Sequence, residues 1–167
     1  MERAFFETKV LADESGAISG LAWKFGAPDR IGDWIEPGAF KGLKLPLPML
    51  FGHDLNDPVG AWDRVEEKAD GLHVAGRLLV DEVARAREVR ALVKAGAVRG
   101  LSIGFVTRKA AARSGGGRTI KALELFEVSL VSAPMHPGAK VTSAKSAAGA
   151  FALAESIRRA EAAIRGS

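Results

Sequence analysis

The chain contains no cysteine and no tyrosine in its 167 residues. Without cysteine there is no disulfide framework, no thiolate nucleophile and no Cys-ligated zinc. Histidine is scarce too, with three residues and no His-x-x-x-His pair. Nothing therefore supports a metal site, and no cofactor is expected. Aromatic residues make up 7% of the chain, and none interleave with basic residues as a base-stacking surface requires. There is no apolar run long enough to span a bilayer and no charged-then-apolar leader at Met1. The expectation is a soluble, intracellular protein with no membrane partner.

What is present suits a single domain, with or without a tail. A chain of this size buries about 70% of its unfolded surface and needs no staple. The net charge is +4. The charges are spread along the chain, and some of the basic residues cluster loosely in two groups, Arg85, Arg87, Arg90, Lys94 and Arg99, then Arg108, Lys109, Arg113 and Arg118. They are spread as on a solvated helix face and a loop, so nucleic acid is not the expected partner. A basic barrel binding single strands stays as an alternative.

Turn punctuation and alternation predict strands over 4–12 and 17–25, joined at 13–16. A short extended piece covers 31–35, and a buried strand over 49–53 ends at His53. Strands 59–67 and 72–80 form a hairpin turned at Asp70-Gly71. A helix is expected from Asp81, as N-cap, to about Ala95. Val83, Ala86, Val89, Leu92 and Val93 form its stripe and Gly96 its stop. Strand 98–108, a flexible Gly-rich loop over 110–118 and a long strand over 119–132 follow, ended by Pro-Met-His-Pro-Gly at 134–138. From 144 the chain is alanine-rich, a helical or flexible tail. The fold class is α+β. Residues 1–143 should form a mostly antiparallel β-barrel of about seven or eight strands with flanking helices.

Three serines, Ser102, Ser129 and Ser132, are candidate nucleophiles, and a hydroxyl needs a base and a group to orient that base. His53, at the end of a strand before a polar loop, can be the base. Glu127 is a charge within an apolar strand, in Leu-Phe-Glu-Val-Ser-Leu-Val, and must reach water or a partner. His73 reads as a surface strand residue and His136 as a solvent-exposed turn residue. Gly-Leu-Ser-Ile-Gly at 100–104 matches G-x-S-x-G, the nucleophile elbow. That elbow needs a strand before the serine and a helix after it, and here the order is reversed.

Several pieces occur in a telling order. They are Ile-Glu-Pro-Gly-Ala-Phe at 35–40, Met-Leu-Phe-Gly-His-Asp at 49–54, Pro-Val-Gly at 58–60 and Asp-Gly-Leu-His-Val at 70–74. Val-Arg-Gly-Leu-Ser-Ile-Gly-Phe at 98–105 and Leu-Phe-Glu-Val-Ser-Leu-Val-Ser-Ala-Pro at 125–134 complete the set. Over about residues 3–142 the chain resembles the prohead (capsid-maturation) serine proteases of tailed phages, distantly similar to herpesvirus assemblins. Related proteases also occur in prophages and gene transfer agents. The resemblance implies His53 as general base, Ser102 as nucleophile and Glu127 as the acid. His136 is the rival third member, because assemblins use a second histidine and this chain has Pro-Met-His-Pro where the family usually has Pro-Ala-Asn-Pro. It also implies an endopeptidase acting inside the immature capsid, in the host cytoplasm. Its substrates would be the major capsid protein and its scaffold segment, with self-cleavage and a homo-oligomer as further possibilities. Oxyanion donors would be backbone amides near 100–104 or the basic loop at 113–118. The rival class is a non-enzymatic capsid-interior scaffold protein of the same fold.

Overall fold

The computed structural model describes residues 15–142. The strand expected at 4–12 and the tail from 144 lie outside the described residues. In chain order the elements are β1 (Ala17–Lys24), β2 (Trp34–Ile35), β3 (Leu47–Phe51), β4 (Pro58–Lys68), β5 (Gly71–Leu78), α1 (Ala84–Lys94), β6 (Gly100–Ala112), β7 (Arg118–Val131) and β8 (Lys140–Val141). Hydrogen-bonded neighbours run β7-β3-β4-β5-β1-β8-β6 and return to β7, which closes a barrel. The short β2 lies beside the first residues of β7, Trp34 opposite Thr119 and Ile35 opposite Ile120.

The barrel is mixed, where a mostly antiparallel one was expected. Both β2 and β3 run parallel to β7, with Met49 opposite Val128 and Phe51 opposite Leu130. Turn signals report only pairings between strands adjacent in sequence. The β3–β7 seam joins residues far apart in the chain, so no turn announces it. Helices are also fewer than expected, since α1 is the single α-helix among the described residues.

Alternating apolar residues fill the interior. Val59, Trp62, Leu72 and Leu78 from β4 and β5 meet Met49 from β3 and Ile120, Val128 and Leu130 from β7, all fully buried. The indole of Trp62 donates to the Val128 carbonyl at 2.9 Å, which satisfies its one polar atom inside the core. Helix α1 covers one end with Ala86, Val89 and Val93, the spacing of a single helical face.

The ends of α1 divide the helix expectation. Gly96 terminates it as anticipated, at φ 74. Its N–H bonds the Val93 carbonyl and that of Ala97 bonds Leu92, the pattern of a Schellman stop. Asp81 is not the N-cap. The N-cap position belongs to Val83, with no side-chain cap. The Val83 N–H bonds the Leu79 carbonyl at 2.8 Å, so Asp81 sits inside a preceding turn.

The segment expected as a flexible Gly-rich loop over 110–118 is strand at both ends, with β6 running to Ala112 and β7 starting at Arg118. Only 113–117 turns, closed by the Arg113 N–H on the Gly117 carbonyl at 3.1 Å. Composition does not reveal what crosses this tip. The Arg113 guanidinium donates to the Gly32 carbonyl at 2.9 Å and lies over Trp34. Arg118 donates from its backbone N–H and its guanidinium to buried Asp33. The Arg118 hydrogen bond holds the Asp33 carboxyl below its usual range, against the opposing effect of burial. A carboxyl with a depressed folded pKa stabilises the fold above its unfolded pKa, and this is lost as pH falls through the folded value. Asp33→Ala is therefore expected to cost about 2 kcal/mol at neutral pH, with the gap to wild type narrowing in acid. Urea titrations at both pH values measure it.

Candidate active site

The β6–β7 pair sets the first half of the site. Ser102 lies opposite Ser129, and Gly104 opposite Glu127. Residues opposite each other in an antiparallel pair share a face, as do residues two apart. One face of the ribbon thus carries the Ser102 hydroxyl, the Glu127 carboxylate and the Ser129 hydroxyl, with a gap at Gly104. A Cβ at Gly104 would fall well inside contact distance of Glu127 Oε1, so the carboxylate occupies the space a side chain would take. A Cβ at Gly100 would overlap the Pro134 ring. Both glycines flanking Ser102 answer to close neighbours rather than to a strand-to-helix elbow. Ser102 sits near the start of a strand that runs on to Ala112.

The second half arrives at the end of β3. There Gly52 and His53 both have positive φ, 64 and 63, and the Asp54 N–H bonds the Phe51 carbonyl at 3.2 Å. Two such residues in the centre of a closed turn match type I′. His53 is the sole non-glycine residue at positive φ among the described residues. Such backbone costs about 1–2 kcal/mol for an L-residue and collects at functional sites. His53 thus lies in a turn two residues past the strand that was expected to end at it. The loop behind it is tied to α1, where Arg85 bonds Asp57 at 3.1 Å and lies over the Phe51 ring at 4.8 Å.

Side chains then meet in series. Ser102 Oγ lies 2.8 Å from His53 Nε2, and His53 Nδ1 lies 2.6 Å from Glu127 Oε1. A carboxylate only accepts, so Nδ1 carries the proton and Nε2 is free to accept from the Ser102 hydroxyl. The Glu127 hydrogen bond raises the pKa of His53; burial opposes this and the Glu127 charge adds to it. Glu127 and Ser102 are buried, whereas the His53 side chain is 44% exposed, leaving one side of the ring open to solvent. The partner demanded by a charge within an apolar strand is therefore His53.

The other candidates stand outside this series. His136 is buried, not the solvent-exposed turn residue expected, because the 134–138 loop folds back so that its ring meets Trp23 edge-on at 4.4 Å. Its Nδ1 accepts from the Gly138 N–H at 2.9 Å, and its Nε2 donates to the Ala27 carbonyl at 3.2 Å. Burial lowers its pKa. It lines a small cavity of about 30 Å³ together with Trp23, Ser102, Ile103 and Met135, while its ring nitrogens are held by backbone. His73 is half-buried on the β4–β5 hairpin and bonds Asp70 at 2.8 Å. Ser132 is exposed. Ser129 is fully buried and bonds Glu127 Oε2 at 2.7 Å. The basic loop at 113–117 is at the opposite end of the β6–β7 hairpin from Ser102.

Gly104→Ala probes the packing at this face. It is expected to fold, with the Glu127 carboxylate displaced and reactivity at Ser102 reduced by about 10²-fold. Labelling kinetics with a fluorophosphonate, alongside a thermal melt, measure both.

A hydroxyl bonded to an imidazole that is bonded in turn to a carboxylate is the arrangement of a serine hydrolase, carried here on a closed mixed barrel. The chain belongs to the caudovirus prohead serine protease family, whose model matches residues 6–152. It is 33% identical to the prohead protease of Enterobacteria phage HK97 over 96% of this chain and 73% of that protein. It is 35% identical to the capsid polyprotein of Pseudomonas phage PAJU2 over 84% of this chain, which spans only 22% of the polyprotein's length. Among solved structures it resembles the KSHV protease bound to a hexapeptide phosphonate inhibitor, with TM-score 0.54, 17% identity, and 75% of this chain and 63% of that one covered. At that identity the likeness concerns the fold alone.

Proposed function

We propose that the chain is a serine endopeptidase of capsid maturation, with Ser102 as nucleophile, His53 as general base and Glu127 as the acid that orients it. The observation that carries this reading is the continuous hydrogen-bonded series from Ser102 Oγ through both ring nitrogens of His53 to Glu127 Oε1. Ser102 Oγ attacks the scissile carbonyl carbon as its proton passes to His53 Nε2. The imidazolium formed is stabilised by the Glu127 carboxylate. His53 then returns the proton to the leaving amine, an acyl-serine remains, and water activated by the same ring releases it. Glu127 takes the third role in preference to His136 because it holds His53 Nδ1 directly, while the His136 nitrogens are engaged by Ala27 and Gly138.

The substrates in this reading are the capsid protein and its scaffold segment, met inside the immature particle, with the chain itself as a further target. Membership of the prohead protease family supports this. Co-expression with the capsid protein of the same particle tests it by intact mass. A capsid protein shortened by cleavage at a defined bond is expected. Full-length capsid protein alongside well-folded enzyme would contradict it and favour a non-enzymatic scaffold role.

A further inference from the structure

Ser129 lies beneath the site and makes two hydrogen bonds that the mechanism above does not use. Its Oγ donates to Glu127 Oε2 at 2.7 Å and accepts the backbone N–H of His53 at 3.0 Å. We infer that Ser129 is a positioning residue, a clamp that fixes both the orienting carboxylate and the strained backbone of the base. The inference rests on the reading of Ser102, His53 and Glu127 given above.

The argument begins with topology. Glu127 and Ser129 are two apart on β7, so their side chains share a face. Ser129 is also opposite Leu50 across the parallel seam, three residues before His53 in the chain. The seam continues one step further, through the Gly52 N–H to the Leu130 carbonyl at 3.0 Å. The left-handed turn at 52–53 then directs the His53 N–H back at Ser129 Oγ. A hydroxyl offers one donor and two acceptor sites, and Ser129 uses one of each. The result is a closed circuit of hydrogen bonds: Ser129 to Glu127, Glu127 to the His53 ring, and the His53 backbone to Ser129.

Such a circuit constrains the imidazole at two points. Glu127 holds the ring by Nδ1, and Ser129 holds the main chain from which the ring projects. Glu127 itself is held at both oxygens, Oε1 by His53 and Oε2 by Ser129, so the carboxylate cannot rotate away without breaking a buried bond. A hydroxyl in a fully buried strand position, between Val128 and Leu130 in the core, is costly unless bonded. Valine or alanine would satisfy packing alone. The serine is explained by the two groups it joins, and a strained non-glycine backbone persists only where its surroundings over-determine it.

The test compares wild type with Ser129→Ala, Ser129→Thr and Ser129→Cys. Thr keeps the hydroxyl, while Cys keeps approximate volume with a weak donor. Each variant is checked by thermal melt, reacted with a fluorophosphonate at a series of concentrations, and examined by proton NMR. The informative resonance is the low-field His53 ring N–H, assigned by its loss in His53→Ala. In Ser129→Ala the maximal acylation rate is expected to fall on the order of 10–100-fold, with half-saturation unchanged and the ring N–H resonance moved upfield or broadened by exchange. Ser129→Cys should do the same in part. Ser129→Thr should restore the resonance and most of the rate. A folded Ser129→Ala or Ser129→Cys with a wild-type resonance and rate would overturn the clamp. If wild type itself is not acylated, the protease reading fails, and the resonance alone still decides whether Ser129 holds the His53–Glu127 bond.

Discussion

Ser102→Ala is expected to slow peptide cleavage by about 10⁴-fold or more while the protein melts close to wild type. The substitution removes one oxygen. That oxygen's partner, His53 Nε2, belongs to a half-exposed ring and can accept from water instead. No buried group loses its partner, in contrast to a change at Glu127 or Ser129. Leu101 continues to fill the core and Ile103 to pack against it. Residual cleavage would come from substrate binding and backbone donors alone. Intact-mass measurement of the capsid substrate over time reads the rate. Retained processing by this variant would move the nucleophile to another serine.

Glu127→Gln should have an effect of similar size, about 10⁴-fold on acylation at neutral pH, and a further signature in pH. Glutamine nearly matches the carboxylate in shape. If its amide nitrogen faces His53, the proton shifts to Nε2, which can then no longer accept from Ser102. If its oxygen faces His53, the imidazolium forms without a counter-charge. In the wild type the Glu127 hydrogen bond, with help from its charge and against burial, lifts the His53 pKa above its ordinary value. The base works as neutral imidazole, so activity rises with pH through that raised value. In Glu127→Gln the rising limb should move to lower pH and reach a lower plateau. The linked stability has the opposite course. A raised folded pKa stabilises the fold below the unfolded value and is lost as pH climbs through the folded one. Glu127→Gln should therefore flatten that part of the stability profile. A limb that stays in place would mean that the carboxylate does not govern His53.

The residues of the candidate site were legible for distinct reasons. Glu127 betrayed itself as a charge among Leu125, Val128 and Leu130, where a carboxylate must have a partner. Ser102 was marked by glycines on either side, and the structure gives each a reason, the Pro134 ring at Gly100 and the Glu127 carboxylate at Gly104. His53 stood at the end of an apolar strand before a polar loop, though its left-handed backbone had no signal beyond the preceding glycine. The features that sequence reasoning missed depend on contacts between distant segments. The β3–β7 seam makes the barrel mixed, Asp33 turns an apparently flexible basic loop into an anchored tip, and Trp23 buries His136. In the sequence Ser129 reads as a candidate nucleophile. Its position opposite Ser102, facing Glu127 rather than solvent, became visible only once the register of β6 on β7 was known. The Glu-x-Ser spacing that places both groups on one face was present all along.

The most direct measurement is to treat the protein with a serine-directed fluorophosphonate and map the adduct by peptide mass spectrometry. A single adduct on Ser102, abolished by His53→Ala and strongly slowed by Glu127→Gln, is the expected result. An adduct on Ser129 or Ser132, or labelling of Ser102 that is indifferent to His53, would contradict the assignment of Ser102, His53 and Glu127 as one working unit.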